Sequence, residues 1–218
     1  MNYPSEFDAK AMICEYGKRL YAMQFVAGNE GNISCRTEEN EVWITPTMES
    51  KGYLTPDMLV KLDMDGNVLS SPYLPSSESK MHIGLYKENP SITGVVHAHP
   101  PFASAFACCG ENTIPSFMMP EPTIQFGKEI PIARYATPGT IEVPDSVKPY
   151  ANKHRAILLA NHGALTWAPT LKDAMFTMEK LESYCKTYLI ASKFIGNHQM
   201  LSDKDTEVLL DMHDKLFV

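Results

Sequence analysis

The sequence predicts an α/β protein in which helices cover a mixed, largely antiparallel sheet, organised as one domain over residues 1–218. Three observations carry this expectation. Helical apolar spacing opens and closes the chain, while short apolar runs joined by turn residues fill the middle. No internal repeat divides it, and the longest loop-like stretch, SSPYLPSSES at 70–79, is too short for a domain boundary. Hydrophobic residues make up 44% and charged residues 21%, a balance that supports a buried core and excludes a disordered or collagen-like chain.

The elements follow in order. Ala9, Met12, Ile13, Tyr16, Leu20 and Met23 recur at steps of three and four, predicting a helix over 5–24 that Gly28, Asn29, Gly31 and Asn32 interrupt. NISCR (32–36) then reads as a strand and EVWIT (41–45) as its hairpin partner. In MLVKLDMDGNVLS (58–70) two strands flank Asp65-Gly66, a strong hairpin signal. Residues 77–88 predict a helix with Met81, Leu85 and Tyr86 on its apolar side. TGVVHAH (93–99) is a strand that Pro100-Pro101 stops, and PFASAFACC a short helix. AILLANHGAL (156–165) reads as one buried strand with a polar end. A helix over 171–195 aligns Ala174, Met175, Met178, Leu181, Cys185, Tyr188 and Leu189 in a buried stripe, and a last helix covers 203–216.

Several function classes are excluded or disfavoured. Nineteen basic residues against 26 acidic ones give a net charge of −7, which argues against a nucleic-acid partner. No apolar run approaches the roughly 18–20 residues that cross a bilayer. The opening MNYPSEFDAK has no basic region followed by an apolar stretch, so no secretory leader is expected. The five cysteines are odd in number and form no CxxC, which predicts a reduced, cytoplasmic protein with mostly core thiols.

The chemistry sits at the polar ends of the apolar strands. His97 and His99 are two apart, so both imidazoles leave the strand on one face. His162 ends another apolar run in ANHGA, where Gly163 would let the backbone turn sharply. Three imidazoles converging at sheet ends, completed by a water or a carboxylate, make a catalytic zinc pattern, and Glu78 is a fourth candidate ligand. His82, His154, His198 and His213 read instead as satisfied core or surface residues. A second cluster, Gly28-Asn29-Glu30-Gly31-Asn32 with Ser76 and Ser77 before the predicted helix, offers N–H and hydroxyl groups to an anion. The same residues would also serve as a turn and helix N-caps. Because Ser76 and Ser77 adjoin Glu78, an anion site and a metal site would be neighbours.

Taken together, GNEGNISCR, ITPT, PSSESKMHIGLYKENPSITGVVHAHPPFASAFA, PIARYATPGT and ILLANHGALTWAPTLKDAMFTMEKLE resemble the class II aldolase/adducin family, in the family's order over roughly 28–182. Each motif alone is weak; the ordered set is specific. The resemblance implies a three-layer α/β/α fold and a homotetramer with active sites at subunit interfaces. It implies zinc, or another divalent metal, on Glu78, His97, His99 and His162. Substrate phosphate would be held at Asn32, Ser76 and Ser77, with help from Asn29 and Thr47. The implied activity is retro-aldol cleavage of a ketose 1-phosphate, of L-fuculose 1-phosphate or 5-deoxyribulose 1-phosphate type, with Glu78 doing proton work. Dehydratase, 4-epimerase or decarboxylase chemistry at the same metal site is the alternative. A metal-free scaffold, like the adducin head domains, is disfavoured because all four ligand candidates are present.

Two departures stand out. The aldolases' tyrosine after the HxH helix falls on Met118 or Met119 here, and no tyrosine stands at the C-terminal end, DMHDKLFV. Glu121 is the replacement acid/base, at a position resembling that of a catalytic glutamate in a related dehydratase branch. The family's glycine after ITPT is replaced by Met48, which predicts an altered phosphate pocket.

Overall fold

Ser5 starts the first helix, α1 (Glu6–Ala22), by accepting a hydrogen bond from the Asp8 N–H. The computed structural model describes residues 3–110 and 112–217. Strands β1 (Asn32–Glu38), β2 (Glu41–Ile44), β3 (Val60–Asp63) and β4 (Val68–Ser70) follow as a meander. Gly66, at φ 87°, supplies the left-handed residue that the turn between β3 and β4 requires. Helix α2 (Ser79–Glu88), strand β5 (Gly94–Ala98) and helix α3 (Pro101–Ala107) come next. Then come β6 (Thr113–Pro115), α4 (Pro120–Phe126), β7 (Glu129–Ala133) and α5 (Glu142–Val147). Strands β8 (Ala156–Leu159) and β9 (Gly163–Ala168) precede α6 (Leu171–Leu189), a π-helical turn at Ile190–Ile195, and α7 (Asp203–Phe217).

The strands form one sheet in the order β4-β3-β2-β1-β5-β9-β8-β7-β6. All neighbours are antiparallel except β7 and β8. The mixed, largely antiparallel sheet is therefore as the sequence predicted. Strand alternation makes the three layers. On one face Val96, Ala98, Leu158 and Ala164 pack with Ile13 of α1, Phe106 of α3 and Met175 of α6. On the other, Val95, Ile157, Leu159 and Leu165 pack with Met81 and Leu85 of α2 and Val143 and Val147 of α5.

Two expectations need correction. AILLANHGAL is not one strand: β8 and β9 pair with each other, with Leu159 opposite Gly163, and the run folds back at Ala160–His162. Its apolar character is continuous because both strands are buried on both faces, which hides the turn. The long helix predicted over 171–195 is α-helical only to Leu189, the rest being the π-helical turn. The elements between 113 and 147 were not predicted; each is short and proline-rich, so no periodicity develops. Cys14, Cys35 and Cys185 are buried, whereas Cys108 and Cys109 are exposed. Among the described residues no helix is long and apolar enough to cross a membrane.

Candidate metal centre and active site

Strand β5 lies between β1 and β9, with Asn32 of β1 opposite His97 on one side and Leu165 of β9 on the other. His97 is fully buried, and its Nδ1–H donates to the Ala164 carbonyl at 2.9 Å. That bond fixes the tautomer and leaves the Nε2 lone pair free. His99 stands one residue past β5, where its backbone N–H donates to the Phe25 carbonyl at 2.8 Å. His162 comes from the β8–β9 turn rather than from a strand end. The left-handed residue of that turn is Asn161, at φ 56°. Gly163 is needed for another reason: a Cβ there would lie 2.6 Å from His99 Cδ2 and 2.7 Å from the Ala98 carbonyl oxygen.

The three imidazoles converge, with ring centroids 5.0 Å (His97–His99), 4.6 Å (His97–His162) and 5.1 Å (His99–His162) apart. Their ligand nitrogens all lie within 4.8 Å of one another. Glu78 occupies the N-cap position of α2 and joins them. Its Oε2 is 3.3 Å from His97 Nε2 and its Oε1 3.5 Å from His162 Nε2. Burial lowers the pKa of all three histidines, which keeps them in the neutral, ligating form. Burial works to raise the Glu78 pKa, but the imidazoles of His97 and His162 and the Asn32 amide outweigh it and leave the carboxyl below its ordinary value. Glu78 Oε1 is buried without a hydrogen-bond partner. An orphaned carboxylate oxygen among three imidazole nitrogens fits a borderline divalent cation such as zinc.

A cavity of about 210 Å³ opens beside this centre. Asn29, Asn32, Thr47, Ser76 and Ser77 all line it, together with Glu78, His99 and His162, so the predicted anion residues and three of the four predicted ligands share one space. Met48, also on its wall, adopts φ 62°. That is the left-handed conformation which a glycine at this position would take without cost.

Three features escaped the sequence reading. Lys51 is buried at the cavity wall, and its ammonium donates to the Asn29 carbonyl at 2.7 Å and to the Glu49 carbonyl. Burial lowers its pKa to about 8. Glu30 contributes a carboxylate 3.5 Å from His99 Nδ1. His82, read as a satisfied core or surface histidine, is a satisfied core one, fully buried and with its pKa pushed down by burial to about 3; its contact with Asn32 is what the sequence reading lacked. Its spacing of four from Glu78 on one helix was the available signal. Glu121, in contrast, does not line the cavity. It opens α4 and lies in a separate cleft with Gln125, Glu179, Lys180 and Tyr184.

The chain is similar to known proteins in sequence and in fold. Residues 11–189 match the sequence profile of the Class II Aldolase and Adducin N-terminal domain family. A 3-oxo-tetronate 4-phosphate decarboxylase of Haemophilus influenzae is 33% identical, over 82% of this chain and 86% of its own. A 5-deoxy-D-ribulose 1-phosphate aldolase of Bacillus thuringiensis is 32% identical, over 90% of this chain and 91% of its own. A solved L-fuculose 1-phosphate aldolase superposes with a TM-score of 0.87 at 32% identity, covering 98% of this chain and 99% of that one.

Proposed function

The chain belongs to the class II aldolase and adducin family, and from that premise we propose that it is a metal-dependent lyase cleaving a ketose 1-phosphate to dihydroxyacetone phosphate and a small aldehyde. Substrates of the L-fuculose 1-phosphate or 5-deoxyribulose 1-phosphate type fit this reading. The observation that carries it is the position of Glu78, whose carboxylate reaches both the imidazoles and the wall of the polar cavity.

A zinc ion, or another divalent cation, held by Glu78, His97, His99 and His162 would supply Lewis-acid stabilisation of charge on the substrate's ketone oxygen. The other roles belong to the chain itself. Asn29, Asn32, Thr47, Ser76 and Ser77 bind the phosphate through amide and hydroxyl groups, and the Lys51 ammonium adds positive charge to the same wall. This fixes the sugar with its ketone toward the histidines. A base takes the C4 hydroxyl proton, the C3–C4 bond breaks, and the aldehyde leaves with C4. The electron pair stays on C3, where a proton drawn from solvent and passed on by Glu78, next to the cavity, gives dihydroxyacetone phosphate, while the base returns the C4 hydroxyl proton to solvent.

Glu121 would act on the C4 oxygen. Since it lies outside the cavity of its own chain, it reaches a site only from a neighbouring copy, in keeping with a homotetramer that builds its sites at interfaces. We place the enzyme in the cytoplasm.

A second reading is favoured by one observation: the decarboxylase and aldolase relatives are almost equally similar to this chain. Loss of carbon dioxide from a 3-oxo acid phosphate leaves an electron pair beside the same carbonyl, so the same residues would serve. The test is a coupled assay for dihydroxyacetone phosphate with L-fuculose 1-phosphate and 5-deoxyribulose 1-phosphate, run with and without a chelator. Chelator-sensitive release is the expected result. Carbon dioxide release from 3-oxo-tetronate 4-phosphate without aldol cleavage would replace the first reading with the second.

A further inference from the structure

Behind the metal centre runs a chain of buried polar groups that no proton transfer described above uses. Tyr86 Oη lies 2.7 Å from Ser34 Oγ, and Ser34 Oγ lies 2.7 Å from His82 Nδ1. His82 Nε2 lies 2.6 Å from Asn32 Oδ1, and Asn32 Nδ2 lies 2.8 Å from Glu78 Oε2. Tyr86, Ser34, His82 and Asn32 are each at most 3% exposed. The fold brings them together by simple periodicities. Asn32 and Ser34 are two apart on β1 and face α2, while Glu78, His82 and Tyr86 step along α2 at intervals of four.

The donors and acceptors have one consistent assignment. An ionised carboxylate only accepts, so Asn32 turns its N–H toward Glu78 and its oxygen toward His82. His82 Nε2 must then carry a proton. In the neutral imidazole this leaves Nδ1 as the acceptor of the Ser34 O–H, and Ser34 Oγ accepts from the Tyr86 O–H. Every bond donates toward Glu78. The reverse polarity sends the Tyr86 proton to the Thr93 carbonyl, at a poor 3.5 Å. It also sets the Asn32 carbonyl against the Glu78 carboxylate with no hydrogen between them.

Accordingly, we propose that Tyr86, Ser34 and His82 are positioning residues: they hold the Asn32 amide with its N–H toward Glu78. This fixes Oε2 and presents the unpartnered Oε1 to the imidazoles. The inference rests on the reading of Glu78 and the three histidines as the active centre. It predicts that a hydroxyl with no route to substrate or metal controls both.

The test uses Ser34→Ala and Tyr86→Phe, each of which removes one oxygen from a packed site. In the metal-free wild type, nitrogen-15 NMR of the histidines should show His82 with a protonated Nε2 and a bare Nδ1. Ser34→Ala should shift or mix that tautomer. Zinc affinity, measured against a competing chelator, should fall about tenfold, as for other groups that orient a metal ligand. In the loaded enzyme kcat should fall by a similar factor, with KM for the phosphorylated substrate changed far less. Tyr86→Phe should move the same readouts in the same direction, more weakly. A wild-type His82 protonated on Nδ1 would overturn the proposal. So would a Ser34→Ala protein that keeps the wild-type tautomer, zinc affinity and kcat. Because the tautomer is read without metal or substrate, a failure of the lyase reading leaves this outcome separately visible.

Discussion

His97 is held from both sides, by the Ala164 carbonyl on Nδ1 and by the imidazoles and Glu78 around Nε2. Replacing it with alanine removes the buried member of the ligand set. His97→Ala is expected to carry near-zero zinc by elemental analysis and to lose activity by roughly 10²–10³, the scale of losing one group that stabilises developing charge; full activity without metal would refute a metal centre here. His82 has a different signature. Burial holds its folded pKa at about 3, whereas the unfolded chain takes up the proton near the ordinary value of about 6.5. Between those limits the unfolded state binds more protons, so stability falls as pH drops, by up to about 1.4 kcal/mol per pH unit. Denaturation midpoints of the metal-free protein from pH 7 to 5 should therefore fall less steeply in His82→Gln than in wild type; equal slopes would mean His82 is solvated. Among individual residues, the convergence of Glu78 with the three histidines and the polar lining of the cavity beside them were readable from the sequence because they sit in short ordered motifs. The burial of Lys51 was not, because nothing in the local sequence around a single lysine says that it is buried.

The β8–β9 hairpin is the element that brings His162 to the other ligands, and its tolerance is small. A methyl group at Gly163 would press on the His99 ring and the Ala98 carbonyl, both part of the site's frame. Gly163→Ala should lower zinc affinity by tenfold or more and cost about 1–3 kcal/mol of stability through overpacking. Gly110→Ala is the matched control, since a Cβ there meets nothing within 4 Å. Calorimetry and zinc competition on the two variants would decide, and equal behaviour would mean that the hairpin yields freely. The longer elements were legible because α1, α2, α6 and α7 have room to repeat a helical spacing, and the β3–β4 hairpin announces itself through Asp65-Gly66. The β8–β9 turn was not, because Asn161-His162-Gly163 interrupts two strands that are apolar on both faces. The segment from β6 to α5 was illegible for the opposite reason: elements of three to seven residues broken by prolines show no period at all.

Across the whole molecule, the polar cavity and Glu121 belong to separate surfaces of one chain. Glu78 and the three histidines come together within a single copy, so on the proposed reading metal binding needs no partner. On the same reading, removal of the C4 hydroxyl proton by Glu121 does need one, which would divide the two functions between chains. Glu121→Gln should keep its zinc and lose turnover by roughly 10²–10³, within the range for general acid–base catalysis. His97→Ala should be inactive for want of metal. If each site takes its histidines from one copy and its Glu121 from the next, co-assembly of the two variants restores sites in which both are intact. Random mixing at equal amounts then returns about a quarter of wild-type activity, since half of the copies carry each intact group and the pairing is independent. Fully active Glu121→Gln would make the glutamate a surface residue. Mixed assemblies that form but recover nothing would remove the interface role and place the missing base elsewhere in the cavity. Recovery near a quarter would mean that the enzyme's smallest competent unit is larger than its chain.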